Sequence, residues 1–208
     1  MPPIDVDTTQ LLAVAAALGW ASGLRLYAVL FLTGAAGWLG WVELPQGLQL
    51  LQTPLLLGAS GMMLFVEFFA DKIPGLDSLW DLVHTLIRIP AGAALAAGAF
   101  GVDQGSMTAA AALLGGSLAA TSHFSKATTR AAVNTSPEPF SNIGMSLLGD
   151  GAVPVMLWLS WEHPVWFFAA LLLALLLMGW LLWTLGRFLR ALLRRLAAVF
   201  GAAPSQAN

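Results

Sequence analysis

The sequence predicts an all-α, polytopic transmembrane helix bundle with about six hydrophobic segments and Pro/Gly-broken helices. Three observations predict it. The 208 residues are 58% hydrophobic and only 10% charged, where a soluble domain carries about 25% charged residues. Mean hydropathy is +0.79. The apolar residues come in runs near the roughly 20 residues that a spanning helix needs, separated by Pro- and Gly-containing breaks. A chain of this length accommodates a single transmembrane domain over 11–200, with an N-terminal tail at 1–10 and a disordered tail at 201–208.

The first apolar segment runs from about Leu11 to Trp41, with Arg25 near its middle. It reads as one tilted helix or as a helix broken near Ala21-Ser22-Gly23. Its flank MPPIDVDTTQ lacks Lys and Arg, so the segment is expected to be retained rather than removed as a secretory signal. The second segment covers Pro54 to Ala70 and stops at Asp71-Lys72-Ile73-Pro74-Gly75, because the residue before proline resists helix and Pro-Gly marks a turn. The third covers Leu76 to Phe100. A polar loop, 101–105, separates it from the Ala- and Gly-rich fourth segment, Ser106 to Val133, whose small residues allow close helix approach. NTSPEP, with Asn134, Pro137 and Pro139, is the next break. The fifth segment covers Phe140 to Trp161, where Asn142 reads as a cap at the helix start. The sixth, Val165 to Gly186, is uncharged and Leu-rich, and continues into a tail with Arg187, Arg190, Arg194 and Arg195.

That arginine cluster places the C-terminus in the cytoplasm by the positive-inside rule. Asp5 and Asp7 fit an N-terminus outside. Opposite termini require an odd number of crossings, so one of six segments must be re-entrant or split, and the broken first segment is the candidate. The second and third segments resemble the fourth and fifth in order: polar helix end, proline break, amphipathic helix. This order allows an internal, inverted repeat with halves 11–102 and 103–200, as in many small transporters, or none, since aligning the halves needs several inserted residues.

The ionisable residues inside the apolar runs carry the functional argument. A charge at the bilayer centre costs about 2.5–3.5 kcal/mol, so such groups must pair or line a wet cavity. Asp77, Asp81, His84 and Arg88 fall on one helical face, opposite Leu79, Leu82, Val83, Leu86 and Ile87. Glu67 and Asp71 share a face of the preceding helix. His123, Lys126, Arg130 and Asn134 form a basic stripe on the fourth segment. The acidic and basic stripes are expected to meet in the bundle interior, with carboxylates in excess. Arg25 either pairs with a carboxylate or holds an anion. The two stripe histidines, His84 and His123, read either as ligands or proton relays or as packing residues.

Zinc-hydrolase, nucleophile-elbow and P-loop motifs are absent from the sequence, so no catalytic residue, metal or cofactor is expected. Without cysteine, disulfides and thiolate chemistry are excluded. A net charge of −2 shows no basic excess for nucleic acid.

The motifs ASGLRLY (21–27) and EFFADKIPGLDSLWDLVHTLIRIPAG (67–92) resemble a family of small bacterial membrane proteins, domain of unknown function 4126. The resemblance implies a bacterial inner-membrane, multi-pass protein. On it, Ser22, Gly23, Arg25, Glu67, Asp71, Lys72, Pro74, Asp77, Asp81 and Arg88 match the family pattern; it implies no activity. From the residues, the expected function is a small transporter or channel-like permease with a central ionisable site, coupled to protons or a cation. Arg25, Glu67, Asp71, Lys72, Asp77, Asp81, Arg88, His123, Lys126, Arg130 and Asn134 would bind the ion or substrate. Ser22, Gly23, Pro74, Gly75, Pro137 and Pro139 would break the helices. The alternatives are a lipid flippase that grips a phosphate head group and a non-transporting scaffold. Expected partners are the bilayer and a small ion or anionic substrate; a homo-oligomer fits the composition.

Overall fold

A computed structural model of the protein describes residues 8–73, 75–101, 105–133 and 139–201. Among them lie six α-helices, one 3-10 helix and no strand. The first, α1 (Thr8–Trp38), would span about 46 Å if straight. It is not straight. Arg25 has φ −149° and ψ 85°, outside the helical range, and the chain reverses there. The contacts along α3 (Leu76–Phe100) record the reversal. The Gly19 carbonyl backs onto Gly92, and the Tyr27 hydroxyl lies 3.1 Å from His84, so the first arm descends α3. Beyond Arg25, Gly37 packs on Leu44, and Gly47 in the 3-10 helix Gln46–Gln52 packs on Gly98. The second arm has climbed back.

The fifth helix, α5 (Pro139–Glu162), gives the same result independently. Gln10 Nε2 donates to the Trp161 carbonyl (2.9 Å), while Thr33, Ala36 and Trp41 share a cavity with that same Trp161. On a straight helix, Gln10 and Thr33 would stand roughly 35 Å apart. So α1 is a helical hairpin with arms 8–24 and 26–38, and Arg25 is at its tip. The break falls two residues beyond the expected Ser22-Gly23, which stay helical. Gly23 is instead a contact point, where a Cβ would meet the Ala119 carbonyl and the Ser122 hydroxyl.

The other helices alternate between the base of this hairpin and its tip. α2 (Pro54–Ala70) starts beside Gly34 at the base and ends beside Arg25, where Asp71 pairs with it. α3 returns to the base, and α4 (Gly105–Val133) runs antiparallel to it, with Gly92 against Gly115 and Thr85 against His123. α5 goes back to the base. α6 (Pro164–Gly201) runs tipward past α5. At the middle, Gly19, Gly92 and Gly115 bring α1, α3 and α4 into backbone contact that a Cβ would block, the close approach that small residues allow. α1 is the most buried helix and α6 the least.

The expected segment boundaries match α2 to α6 closely. Three features correct the sequence reading. Thr8 to Gln10 belong to α1 rather than to a tail, and Gly201 closes α6; residues 1–7 and 202–208 lie outside the described residues. Asn142 does not cap a helix start: it lies inside α5, buried, with its amide unbonded. Lastly, α2–α3 and α4–α5 run in the same sense, so a duplication relating them would be parallel, not inverted.

Four helices are long and apolar enough to cross a membrane, and a fifth span results if the 3-10 helix and α2, bent by 71°, count together. This makes the chain a membrane protein. α1 is among the four by length and composition, yet its hairpin geometry returns it to the end where it began. α4, rich in Ala, Gly, Ser and Thr, is not among them.

Candidate functional site

The polar stripes point inward as their spacing requires. Asp77, Asp81, His84 and Arg88 are buried, while Leu79, Leu82, Val83, Leu86 and Ile87 on the opposite face of α3 are exposed. On α4, His123 and Arg130 are buried. The same helical period that buries one face of α3 turns its apolar face outward, toward hydrocarbon.

The stripes meet in a continuous ion-pair network. Its inner part is dry: Arg88 donates to Glu67 (2.6 Å) and Asp81 (2.7 Å), and both partners are buried with it. Lys126 then joins Asp81 (3.2 Å) to Asp71 (3.0 Å). Arg130 lies 2.9 Å from Asp71, 3.6 Å from Asp81 and 3.8 Å from Asp77. Its outer part is built on Arg25. One nitrogen, Nη2, reaches Asp71 (3.0 Å), Asp150 (2.9 Å) and the Ser146 hydroxyl (2.8 Å). Lys72 completes it through Asp150 (3.0 Å) and sits 3.1 Å over the Phe68 ring.

Five carboxylates therefore face five cations among the described residues, and the network is formally neutral. The expected excess of carboxylates is not seen in it. Each carboxylate meets a cation rather than a second carboxylate, and no group of three metal-ligating side chains is found among the described residues. Neutrality is what a low-dielectric interior demands, because an unpaired buried ion costs several kcal/mol.

The hairpin tip adds donors and acceptors of its own. Ending the first arm leaves carbonyls without helical partners. Lys126 Nζ donates to the Leu24 carbonyl (2.9 Å), and the Ser122 hydroxyl to that of Trp20 (2.7 Å). A cation at a helix C-terminus is also favoured by the helix dipole.

Beside the tip lies a cavity of about 370 Å³. Arg25, Asp71, Lys126 and Arg130 line its polar side. Ala174, Leu177, Met178 and Leu181 of α6 line the other. Glu67, Asp77, Asp81 and Arg88 are not part of its wall. Three buried side chains in the wall have unsatisfied polar atoms: Arg25 at Nε and Nη1, Trp20 at Nε1 and Ser125 at Oγ. Buried polar groups are nearly always hydrogen-bonded; these atoms are enclosed behind the cavity wall, so a ligand or water serves them only if the side chains around them shift. Gly149 lies over Arg25, where a Cβ would stand 3.6 Å from Nε.

Of the expected site residues, Arg25, Glu67, Asp71, Lys72, Asp77, Asp81, Arg88, Lys126 and Arg130 join the network. His123 is beside it, 2.7 Å from the Thr85 hydroxyl. His84 is a packing residue, stacked on Trp80 at 4.1 Å and bonded to Tyr27 and the Trp80 carbonyl. Gly75 makes its turn with φ +88°, and its N–H, with that of Ser78, donates to Asp77. Pro139 opens α5; Pro74, Asn134 and Pro137 lie outside the described residues. Asp150, Ser146, Gly149, Trp20 and Ser125 complete the site without having been assigned to it. Asn142, Ser146 and Asp150 recur every four residues, a stripe of the kind read on α3 and α4, so a signal for two of them was present.

Neither the curated proteins nor the solved structures include a match to the chain. A protein-family model does match, over residues 12–184: Domain of unknown function (DUF4126). The chain belongs to that family.

Proposed function

We propose that this DUF4126 member is a small membrane permease that carries an anion together with a proton, using the cavity at the hairpin tip as its site. The observation that carries the reading is Arg25: a buried guanidinium at the tip of a broken helix, unsatisfied at two nitrogens, beside a cavity of ligand size. Broken backbone at membrane depth is tolerated where it is buried in protein or lines a cavity. Helix breaks at such depth are where transporters bind substrate.

Charge supports the proton. Among the described residues the network is neutral when empty, so an entering monoanion leaves it at −1, which a low dielectric opposes. Uptake of one proton restores neutrality. Asp150 is the carboxylate for this role, with its side chain 20% exposed where that of Asp71 is fully buried. Arg25 and Lys72 face Asp150 directly; Asp71 shares Arg25 with it, and Lys126 and Arg130 stand behind Asp71. The cation-coupled alternative receives less support, because among the described residues each network carboxylate already lies within 4 Å of a cationic side chain.

The matching topology is a hairpin that enters and leaves on the outer side of the bacterial inner membrane, followed by five crossings that end with the arginine-bearing end of α6 in the cytoplasm. The test is proteoliposomes with a pH dye in the lumen, given an inward gradient of methanesulfonate, phosphate or octanesulfonate. At least one anion acidifies the lumen at a rate that Asp150→Asn reduces tenfold or more. If none does so above protein-free vesicles, the permease reading fails.

A further inference from the structure

We infer that the cavity takes a single-chain anionic amphiphile, its head at Arg25 and its apolar chain along α6. This rests on the site described above, not on transport. The charged residues of the cavity wall come from α1, the end of α2 and α4, α6 contributes only apolar ones, and Leu24, Met145 and Leu148 make the α1 and α5 sides apolar in part. The cations of the wall, Arg25, Lys126 and Arg130, outnumber its one carboxylate, Asp71, and behind them Arg25 Nε and Nη1, Trp20 Nε1 and Ser125 Oγ are unbonded. These cations suit an acceptor-only group such as a carboxylate, sulfonate or phosphate. The α6 wall offers only hydrocarbon and a thioether, through Ala174, Leu177, Met178 and Leu181. A small hydrophilic anion would satisfy the first wall and leave the second facing a void or water.

Size restricts the class further. At about 370 Å³, the cavity lies near the lower end of the roughly 300–1,000 Å³ of small-ligand pockets. That admits a head group with part of one chain and does not enclose a two-chain phospholipid. A longer single chain would leave past α6, most of whose apolar residues are exposed.

Equilibrium binding to the full-length protein in phosphatidylcholine nanodiscs tests the inference, with empty nanodiscs subtracted. Octanesulfonate binds saturably at one site per chain, at least tenfold more tightly than methanesulfonate or octanol. Gly149→Leu, which fills the cavity beside Arg25 Nε and keeps every charged residue of the network, weakens binding tenfold or more. Arg25→Lys keeps the charge, removes the spare N–H groups and does the same. If Arg25→Lys fails to fold, Gly149→Leu alone decides. A lysophosphatidate that displaces octanesulfonate shows that a lipid supplies the same head-and-chain chemistry; failure to displace assigns the site to free amphiphiles. Equal affinity for methanesulfonate, equal affinity for octanol, or unaltered binding in Gly149→Leu each overturns the inference. Binding without any flux leaves it standing and removes the permease reading. Flux of methanesulfonate without octanesulfonate binding does the reverse.

Discussion

Arg88 shows how a single residue is constrained here. It is fully buried and holds two buried carboxylates at 2.6 and 2.7 Å. Removing one partner of such a set is far worse than never having built it, because the remaining ions stay buried and unpaired. Arg88→Met is therefore expected to destabilise the protein by about 3–5 kcal/mol, read as a fall in the thermal midpoint in detergent. Adding Glu67→Gln should recover part of the loss, since one uncompensated charge is then gone. A midpoint equal to wild type for Arg88→Met would show that the inner network contributes nothing to folding. Arg25 is built differently. Its acceptors crowd onto Nη2 and leave Nε and Nη1 enclosed but unbonded, so it is held in place through one nitrogen. Most of these residues were legible as stripes, because a helix repeats its face every 3.6 residues. Their pairings were not legible. Lys72 meets Asp150 across 78 positions of sequence, and no local pattern encodes that distance.

At the scale of elements, the contact between α1, α3 and α4 depends on absent side chains. Gly115 sits where a Cβ would collide with the Gly92 carbonyl and the Ala96 side chain. Gly115→Val should cost about 1–3 kcal/mol or more through overpacking, whereas Gly151→Val, which has open space around it, should cost little. Comparing the melting of the two variants checks this, and similar losses would mean that α5 is more tightly packed than its surroundings indicate. The glycine-rich composition announced close packing but not which glycines carry it. The first helix is the larger lesson. ASGLRLY signalled a break, yet a single residue, Arg25, makes it, without proline or loop. Arg25 adopts φ −149° because Asp71, Asp150 and the helices around it fix the tip, and those partners come from distant sequence.

For the molecule as a whole, the testable feature is its sidedness. The cysteine-free sequence makes single-cysteine labelling unambiguous. Thr8→Cys and Leu39→Cys, at the two ends of the hairpin, should both react with an impermeant thiol reagent in intact cells, and Ile73→Cys only after the membrane is opened. Reaction of Thr8→Cys and Leu39→Cys from opposite sides would rule out the hairpin. The sequence by itself determined that this is a helical membrane protein, where most helices begin and end, and which faces turn inward, since hydropathy and helical period are local properties. Only the tertiary structure decided that α1 folds back, that the ions balance five to five, and that a cavity opens beside Arg25. Those outcomes depend on which distant side chains share a low-dielectric interior, where every charge must find its partner.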